Sequence, residues 1–362
     1  MPATREPTPF EREIDAHARE GDLFAPEGAR GAVRCFACGH RCLVPDGLRG
    51  VCKVRFNRGG RLLVPRGYVA ALQCDPIEKK PFFHVLPGTD ALSFGMLGCD
   101  LHCAYCQNWD ISQAGRDGDA GRSPASVTAE ELVRAALARG ARTITSTYNE
   151  PLITAEWARE VFTAAKEEGL VTAFVSNGNA TPEVIGYLKP VLDLYKVDLK
   201  SLRDASYRKL GGRLEPILDS MERIRAAGLW LEVVTLVIPG FNDSDEELRD
   251  IARFLASLGP DVPWHVTAFH RDYRMTENDD TGPATLVRAA GIGRSEGLRF
   301  VYAGNLPGRV GDLEDTICPD CGETLVRRRG NRVISDALTG RGACPACGRS
   351  IPGLWSPPDG AR

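Results

Sequence analysis

The sequence predicts an α/β fold: a parallel sheet with helical crossovers, a cysteine-rich segment before it and a small module after it. Three observations lead there. Between residues 91 and 305, short apolar runs alternate with segments of helical period. Capping signals open two of those segments and glycines close them. Eleven of the 12 cysteines fall into three tight groups, two of them outside the alternating region. The 362 residues are 43% hydrophobic and 26% charged, with a formal net charge of -3. That excludes a disordered or collagen-like chain and gives no electrostatic reason to expect nucleic-acid or anionic-membrane binding.

In chain order, residues 1–90 read as an irregular segment with short strands, such as RLLVPRGYVAAL at 61–72. Residues 91–305 hold the predicted strands 93–97, 142–147, 171–176, 193–198, 229–238, 264–269 and 298–303. Thr128 and Glu131 form a capping box before Leu132, Val133, Ala136 and Leu137, with Gly140 as the stop. Ser244 and Glu247 repeat it before Leu248, Ile251, Leu255 and Leu258, with Gly259 as the stop. Residues 113–126 read as an exposed loop. Six or seven β-then-α units imply right-handed crossovers in an open sheet or a complete or partial barrel. A Rossmann fold would need G-x-G-x-x-G after its first strand, which is absent. Residues 306–362 form the separate C-terminal module.

The N-terminus is polar, without the apolar core of a secretion signal, and no run is long and apolar enough to span a membrane. A cytoplasmic location is expected, and with it thiols that bind metal rather than pair as disulfides. Cys318-x2-Cys321 and Cys344-x2-Cys347, each followed by glycine, have zinc-ribbon spacing, with rubredoxin-type iron as the alternative. Cys35, Cys38, Cys42 and Cys52 form a second four-thiolate set, for zinc or an auxiliary iron–sulfur cluster, in which His40 can replace a cysteine. Cys74 reads as an inert buried thiol, and His84 and His102 as packed histidines. Arg327, Arg328 and Arg329 read as a solvated strand face, with RNA or an acidic partner as the alternative.

The middle group differs. Cys99-x3-Cys103-x2-Cys106 follows the first predicted strand and supplies three thiolates on one loop, enough for three corners of a [4Fe–4S] cubane. Polar residues follow the other strands at the same end: Tyr148-Asn149-Glu150-Pro151, Ser176-Asn177-Gly178, Asp198 and Lys200, the segment 239–243, and His270.

The run CDLHCAYC resembles the signature loop of radical SAM enzymes, with Tyr105 before the last cysteine. The resemblance implies a partial (β/α)6 barrel and a cluster whose open iron is chelated by S-adenosylmethionine (SAM). Reductive cleavage of SAM then gives a 5′-deoxyadenosyl radical that abstracts hydrogen. YNEP is similar to the "GGEP" element, with Asn149 and Glu150 at the SAM amino group and both glycines replaced. Ser176 and Asn177 match the "TNG" strand end of glycyl-radical enzyme activating enzymes, Asp198 and Lys200 their D-x-K element, and His270 a histidine near the ribose. By this resemblance Glu150 and Asp198 accept from the SAM ammonium, and Lys200 donates to its carboxylate.

That likeness, to activases of the pyruvate formate-lyase type, covers about residues 90–305. A closer one, to the radical SAM member of the AmmeMemoRadiSam system, rests on CFACGHRC, DPIEKKPFFHVLPGT, GCDLHCAYCQNWDISQ, YNEPLI and VDLKS. It implies an oxidoreductase with a ferredoxin or flavodoxin as low-potential donor and Memo-type and AMMECR1-type proteins as partners. Its substrate is an unidentified protein or small molecule. The alternatives are a glycyl-radical activase and a non-enzymatic metal scaffold.

Overall fold

All seven predicted strands of the alternating region join one sheet in the computed structural model, which describes residues 6–28, 31–340 and 342–356. They are numbered after an eighth strand that precedes them: β1 (Ala71–Pro76), β2 (Asp90–Gly95), β3 (Thr143–Ser146), β4 (Val171–Ser176), β5 (Leu194–Asp198), β6 (Trp230–Val237), β7 (Trp264–Ala268) and β8 (Val301–Gly304). Their spatial order is β8-β7-β6-β5-β4-β3-β2-β1. Strands β2 to β8 are parallel, and β1 runs antiparallel along β2 with Ala71 opposite Gly95. Edges β1 and β8 do not pair with each other, so the sheet is a partial barrel.

Each of the six crossovers carries one principal helix: α1 (Ala129–Ala138), α2 (Ala155–Glu167), α3 (Pro182–Leu188), α4 (Leu214–Ala226), α5 (Asp245–Leu258) and α6 (Pro283–Ser295), with the short helices Trp109–Ser112 and Asp204–Lys209 beside α1 and α4. Thr128 and Glu131 close a full capping box on α1. The second expected box is only half made. Ser244 Oγ accepts from Glu247 N, but the Glu247 carboxylate accepts from the Ser201 hydroxyl and from Leu202 N instead. A buried carboxylate that can join two loops gains more there than in the cap it would close.

Strand alternation puts Lys196 and Asp198, Glu232, and His265 and Thr267 on the inner face of the sheet, because residues two apart share a face. Residues 77–86 cross that interior. Glu232 anchors them by accepting from Phe83 N and His84 N, both at 3.0 Å. The C-terminal module packs on the same segment. Its cysteines Cys318 and Cys344 share a buried cluster with Phe83, Phe300 and Tyr302, and Leu354 pairs beside Val85. Period-two alternation corrects the expectation for the arginine run: Arg327 and Arg329 face solvent, but Arg328 turns inward and donates to the Phe83 carbonyl and to Thr316 Oγ1. Cys74, expected to be buried, is half-buried on the edge strand β1. The loop 113–126 begins with buried Gln113 and Ala114 and becomes exposed only beyond them. All 12 cysteines are free. Among the described residues no helix is long and apolar enough to cross a membrane.

Candidate active site

A cavity of about 480 Å³ opens at the C-terminal ends of the parallel strands and runs inward between them. Cys99, Cys103 and Cys106 line one end, on the loop that leaves β2. Gly98 makes that exit possible. Its φ is +88°, and a Cβ there would stand 2.8 Å from Val54 Cγ1 and 2.9 Å from the Cys52 carbonyl oxygen. Burial pushes all three thiols above their ordinary range, Cys103 to about 11. Thiolate character must therefore come with iron, which displaces the proton. Cys106 Sγ also lies 3.1 Å from Ser112 Oγ.

The adjoining wall comes from the ends of β3 and β4. Glu150 is buried, caps its own short helix by accepting from Leu152 N, and reaches across to Ser176 Oγ and Asn177 N, both at 2.7 Å. Burial and the Asp100 carboxylate raise its pKa to about 8, and among the described residues it has no ion-pair partner. Asp100, which the sequence did not single out, is held by the side-chain amides of Asn177 and Asn179 at 2.7 and 2.8 Å. Asn149 Oδ1 accepts from Met96 N and so ties the end of β3 to that of β2. Tyr148 adopts φ +73°. A tyrosine thus takes the left-handed conformation where the resembling element has glycine, at a backbone cost of about 1–3 kcal/mol.

On β5, Lys196 pairs with Asp198, and Lys200 Nζ lies 3.9 Å from the other Asp198 oxygen. Burial works against the charge of Asp198, but the two lysines overcome it and hold the carboxyl below its usual range. Burial likewise opposes the Lys200 charge, which Cys103 and Asp198 more than restore. Asn242, from the turn after β6, accepts from Ile238 N and donates to the Lys200 carbonyl, fixing that backbone. Tyr105 is buried with its ring 5.9 Å from Phe241.

Of the residues expected from the sequence, Tyr105, Asn149, Glu150, Ser176, Asn177, Asp198, Lys200 and the three cysteines all line this cavity. His270 does not. It is exposed and meets the site only through Gln107, whose Nε2 lies 2.9 Å from its ring. His102 is also exposed, whereas His84 is fully buried. Tyr148, expected at the end of β3, lines the cavity too, and so do residues the sequence did not single out: Lys80, Lys196, His265, Thr267, Asn305, and the hairpin turn Gly330–Asn331. His265 is buried, with Nε2 2.7 Å from Glu232 Oε2. The signal for Lys196 and His265 was present as polar residues at alternate strand positions, one pleat before the strand ends.

Two four-cysteine sets flank the cavity. The Sγ atoms of Cys318, Cys321, Cys344 and Cys347 all lie within 4.8 Å of one another, which suits a single ion. Cys35, Cys38 and Cys52 are buried and Cys42 half-buried, against the loop that carries Cys99.

The chain is 37% identical over 324 residues to the uncharacterized protein MJ0808 of Methanocaldococcus jannaschii, covering 88% of this chain and 95% of that one. Residues 95–255 match the family model for the Radical SAM superfamily. The chain belongs to the radical SAM superfamily. Within it, similarity extends to pyruvate formate-lyase 1-activating enzyme of Escherichia coli K12, 26% identical over 240 residues, 60% of this chain and 93% of that enzyme. Isethionate sulfite-lyase activating enzyme of Oleidesulfovibrio alaskensis is 33% identical over 140 residues, 37% of this chain and 44% of that one. The protein is a radical SAM enzyme related to glycyl-radical enzyme activating enzymes, a family that implies a [4Fe–4S] cluster and SAM. The donor set fits them: three thiolates on one loop, and a buried carboxylate with no ion-pair partner among the described residues.

Proposed function

We propose that this cavity binds SAM against a [4Fe–4S] cluster held by Cys99, Cys103 and Cys106, and directs hydrogen abstraction from a carbon of a substrate at its far end. One observation carries the reading: the cysteines, Glu150, Asn177, Asp198 and Lys200 border a single cavity. When bound, the cluster supplies the electron that cleaves SAM to methionine and a 5′-deoxyadenosyl radical. Glu150 accepts from the SAM ammonium, which lowers the cost of its buried charge. Lys200 donates to the SAM carboxylate, and Asn149 and Asn177 hold the wall that positions both. Ser176 supports Glu150, and Tyr105 shields the cysteine loop from water. His270 is assigned no contact with the ribose; through Gln107 it supports the cavity rim. A zinc ion on Cys318, Cys321, Cys344 and Cys347 secures the C-terminal module.

The system expected from the sequence, with a ferredoxin or flavodoxin as donor and Memo-type and AMMECR1-type partners in the cytoplasm, is kept as part of this proposal. Glycyl-radical activation is the second reading, favoured by the activating enzymes among the relatives. Anaerobically reconstituted protein with dithionite is expected to release 5′-deoxyadenosine. Release by a Cys99→Ala, Cys103→Ala, Cys106→Ala variant would overturn the assignment. A glycyl-radical EPR doublet on mixing with a partner encoded nearby would favour the second reading over the first.

A further inference from the structure

We propose that Cys35, Cys38, Cys42 and Cys52 hold a second iron–sulfur cubane, placed directly against the loop that carries Cys99, Cys103 and Cys106. The inference rests on the reading of that loop given above and adds a second metal centre of the same chemical class.

The four thiols form one site. Cys35 ends a strand (Val33–Cys35) and its N–H donates to the Cys42 carbonyl at 2.9 Å, while Arg41 N donates to the Cys38 carbonyl. Arg41 and Lys53 take positive φ values of +44° and +69°, turning the chain back at each side of the group. Cys42 Sγ lies 3.7 Å from the Cβ position of Gly50, at the turn that delivers Cys52. Asp100, close to the group, has its oxygens taken by Asn177 and Asn179, and His40 Nε2 is turned to the Asp100 carbonyl at 3.1 Å, which leaves the four sulfurs as the donor set.

Their spacing suits a cubane better than a single ion. A single tetrahedral ion with metal–sulfur bonds of about 2.3 Å draws its thiolates to roughly 3.8 Å apart. The C-terminal set meets that, with Sγ pairs at 3.6 Å. Among the described residues it is the one group of three or more such ligands within 4.8 Å of one another. The N-terminal four are gathered more widely than that, as are Cys99, Cys103 and Cys106. A cubane needs the wider spacing because each thiolate binds a different iron. The protein thus holds two kinds of cysteine site, one tight and two wide, and the N-terminal set belongs with the wide ones.

The two wide sites touch. Gly98, next to Cys99, is packed against the Cys52 carbonyl. His40 Nε2 lies 3.1 Å from the Asp100 carbonyl, and Gly39 N donates to the Asn179 carbonyl. Arg116 spans both loops, donating to the carbonyls of Leu101 and Val51. A cubane at this place is a one-electron carrier beside the SAM-cleaving cluster. An external low-potential one-electron donor is oxidised by one electron, which passes through the second cluster to the first; no bond or proton changes in the transfer.

Iron, sulfide and zinc analysis of the full chain, reconstituted anaerobically, tests the inference. Wild type is expected to hold about eight iron and one zinc per chain, four iron for each cubane. The Cys99→Ala, Cys103→Ala, Cys106→Ala variant should keep about four iron, with a reduced-cluster EPR signal that SAM does not change. A Cys35→Ala, Cys38→Ala variant should also hold about four iron, with its zinc unchanged as a check on folding. Four iron and two zinc in wild type, with no iron in the triple variant, would overturn the second cluster and leave the SAM site intact. Eight iron without SAM cleavage would instead overturn the proposed function and leave the second cluster standing.

Discussion

Glu150 is the residue on which binding and stability pull in opposite directions. Its folded pKa of about 8 lies above the ordinary 4.5, so the unfolded chain loses that proton first as pH rises. Stability therefore falls as pH rises from 4.5 toward about 8. Glu150→Gln removes the penalty and keeps Oε1 as acceptor for Leu152 N and Ser176 Oγ, at the loss of the acceptor for Asn177 N. It should raise the melting temperature of the SAM-free protein at pH 7 and weaken SAM binding about 10- to 100-fold, as expected for losing a charge-assisted hydrogen bond. Equilibrium binding and thermal melts on the same sample check both; a fall in stability would make Glu150 a structural cap instead. At this scale the sequence was legible where chemistry stood at strand ends, as at Glu150 and Lys200. It was not legible where a polar side chain sat inside a strand. Lys196 and His265 look like ordinary members of apolar runs until the sheet curls and turns their face into a cavity.

Between elements, two buried contacts hold the N-terminal segment and the C-terminal module to the barrel. Arg55 donates to both oxygens of Glu156 on α2 at 2.7 Å, and Glu156 also accepts from Asp22 N and Leu23 N. Glu156→Ala leaves a buried guanidinium uncompensated and should cost about 3–5 kcal/mol in denaturant titration. A cost below 1 kcal/mol would mean that the segment relaxes away from α2. At the other edge, His84 donates from Nδ1 to the Pro352 carbonyl and accepts at Nε2 from Tyr302, both at 2.6 Å, an arrangement that needs the neutral ring. Burial lowers its pKa from 6.5 to about 4. The unfolded chain therefore takes up a proton first, and stability should fall as pH drops from 6.5 toward 4. A melting series in which His84→Gln flattens that slope confirms the source; an unchanged slope rejects it. The βα alternation was readable because period and caps report local structure. Neither contact was, because each joins residues roughly a hundred or more positions apart, and a single sequence does not state which distant partners meet.

Across the whole molecule, the C-terminal module behaves as a wall of the barrel. Read from the sequence, residues 306–362 form a separate unit, since cysteine knuckles and turn-rich strands need no outside core. In the structure, Cys318 and Cys344 lie in the same buried cluster as Phe83, Phe300 and Tyr302, and the hairpin turn at Gly330–Asn331 reaches the cavity. Glu314 fixes that turn, accepting from Gly308 N and Gly330 N. A metal ion at the tight cysteine site would therefore support a face of the barrel that β8 leaves exposed at its edge. Removing the zinc proposed for that site, by chelation or by Cys318→Ser with Cys321→Ser, should loosen the hairpin and the segment 77–86 that it covers. The expected result is a lower melting temperature for the entire chain in one transition, together with more SAM cleaved per substrate consumed, because an open cavity admits water and spends the radical unproductively. An independent module would give the opposite pattern: a separate low-temperature transition, an unchanged barrel melt, and unaltered coupling between SAM cleavage and turnover.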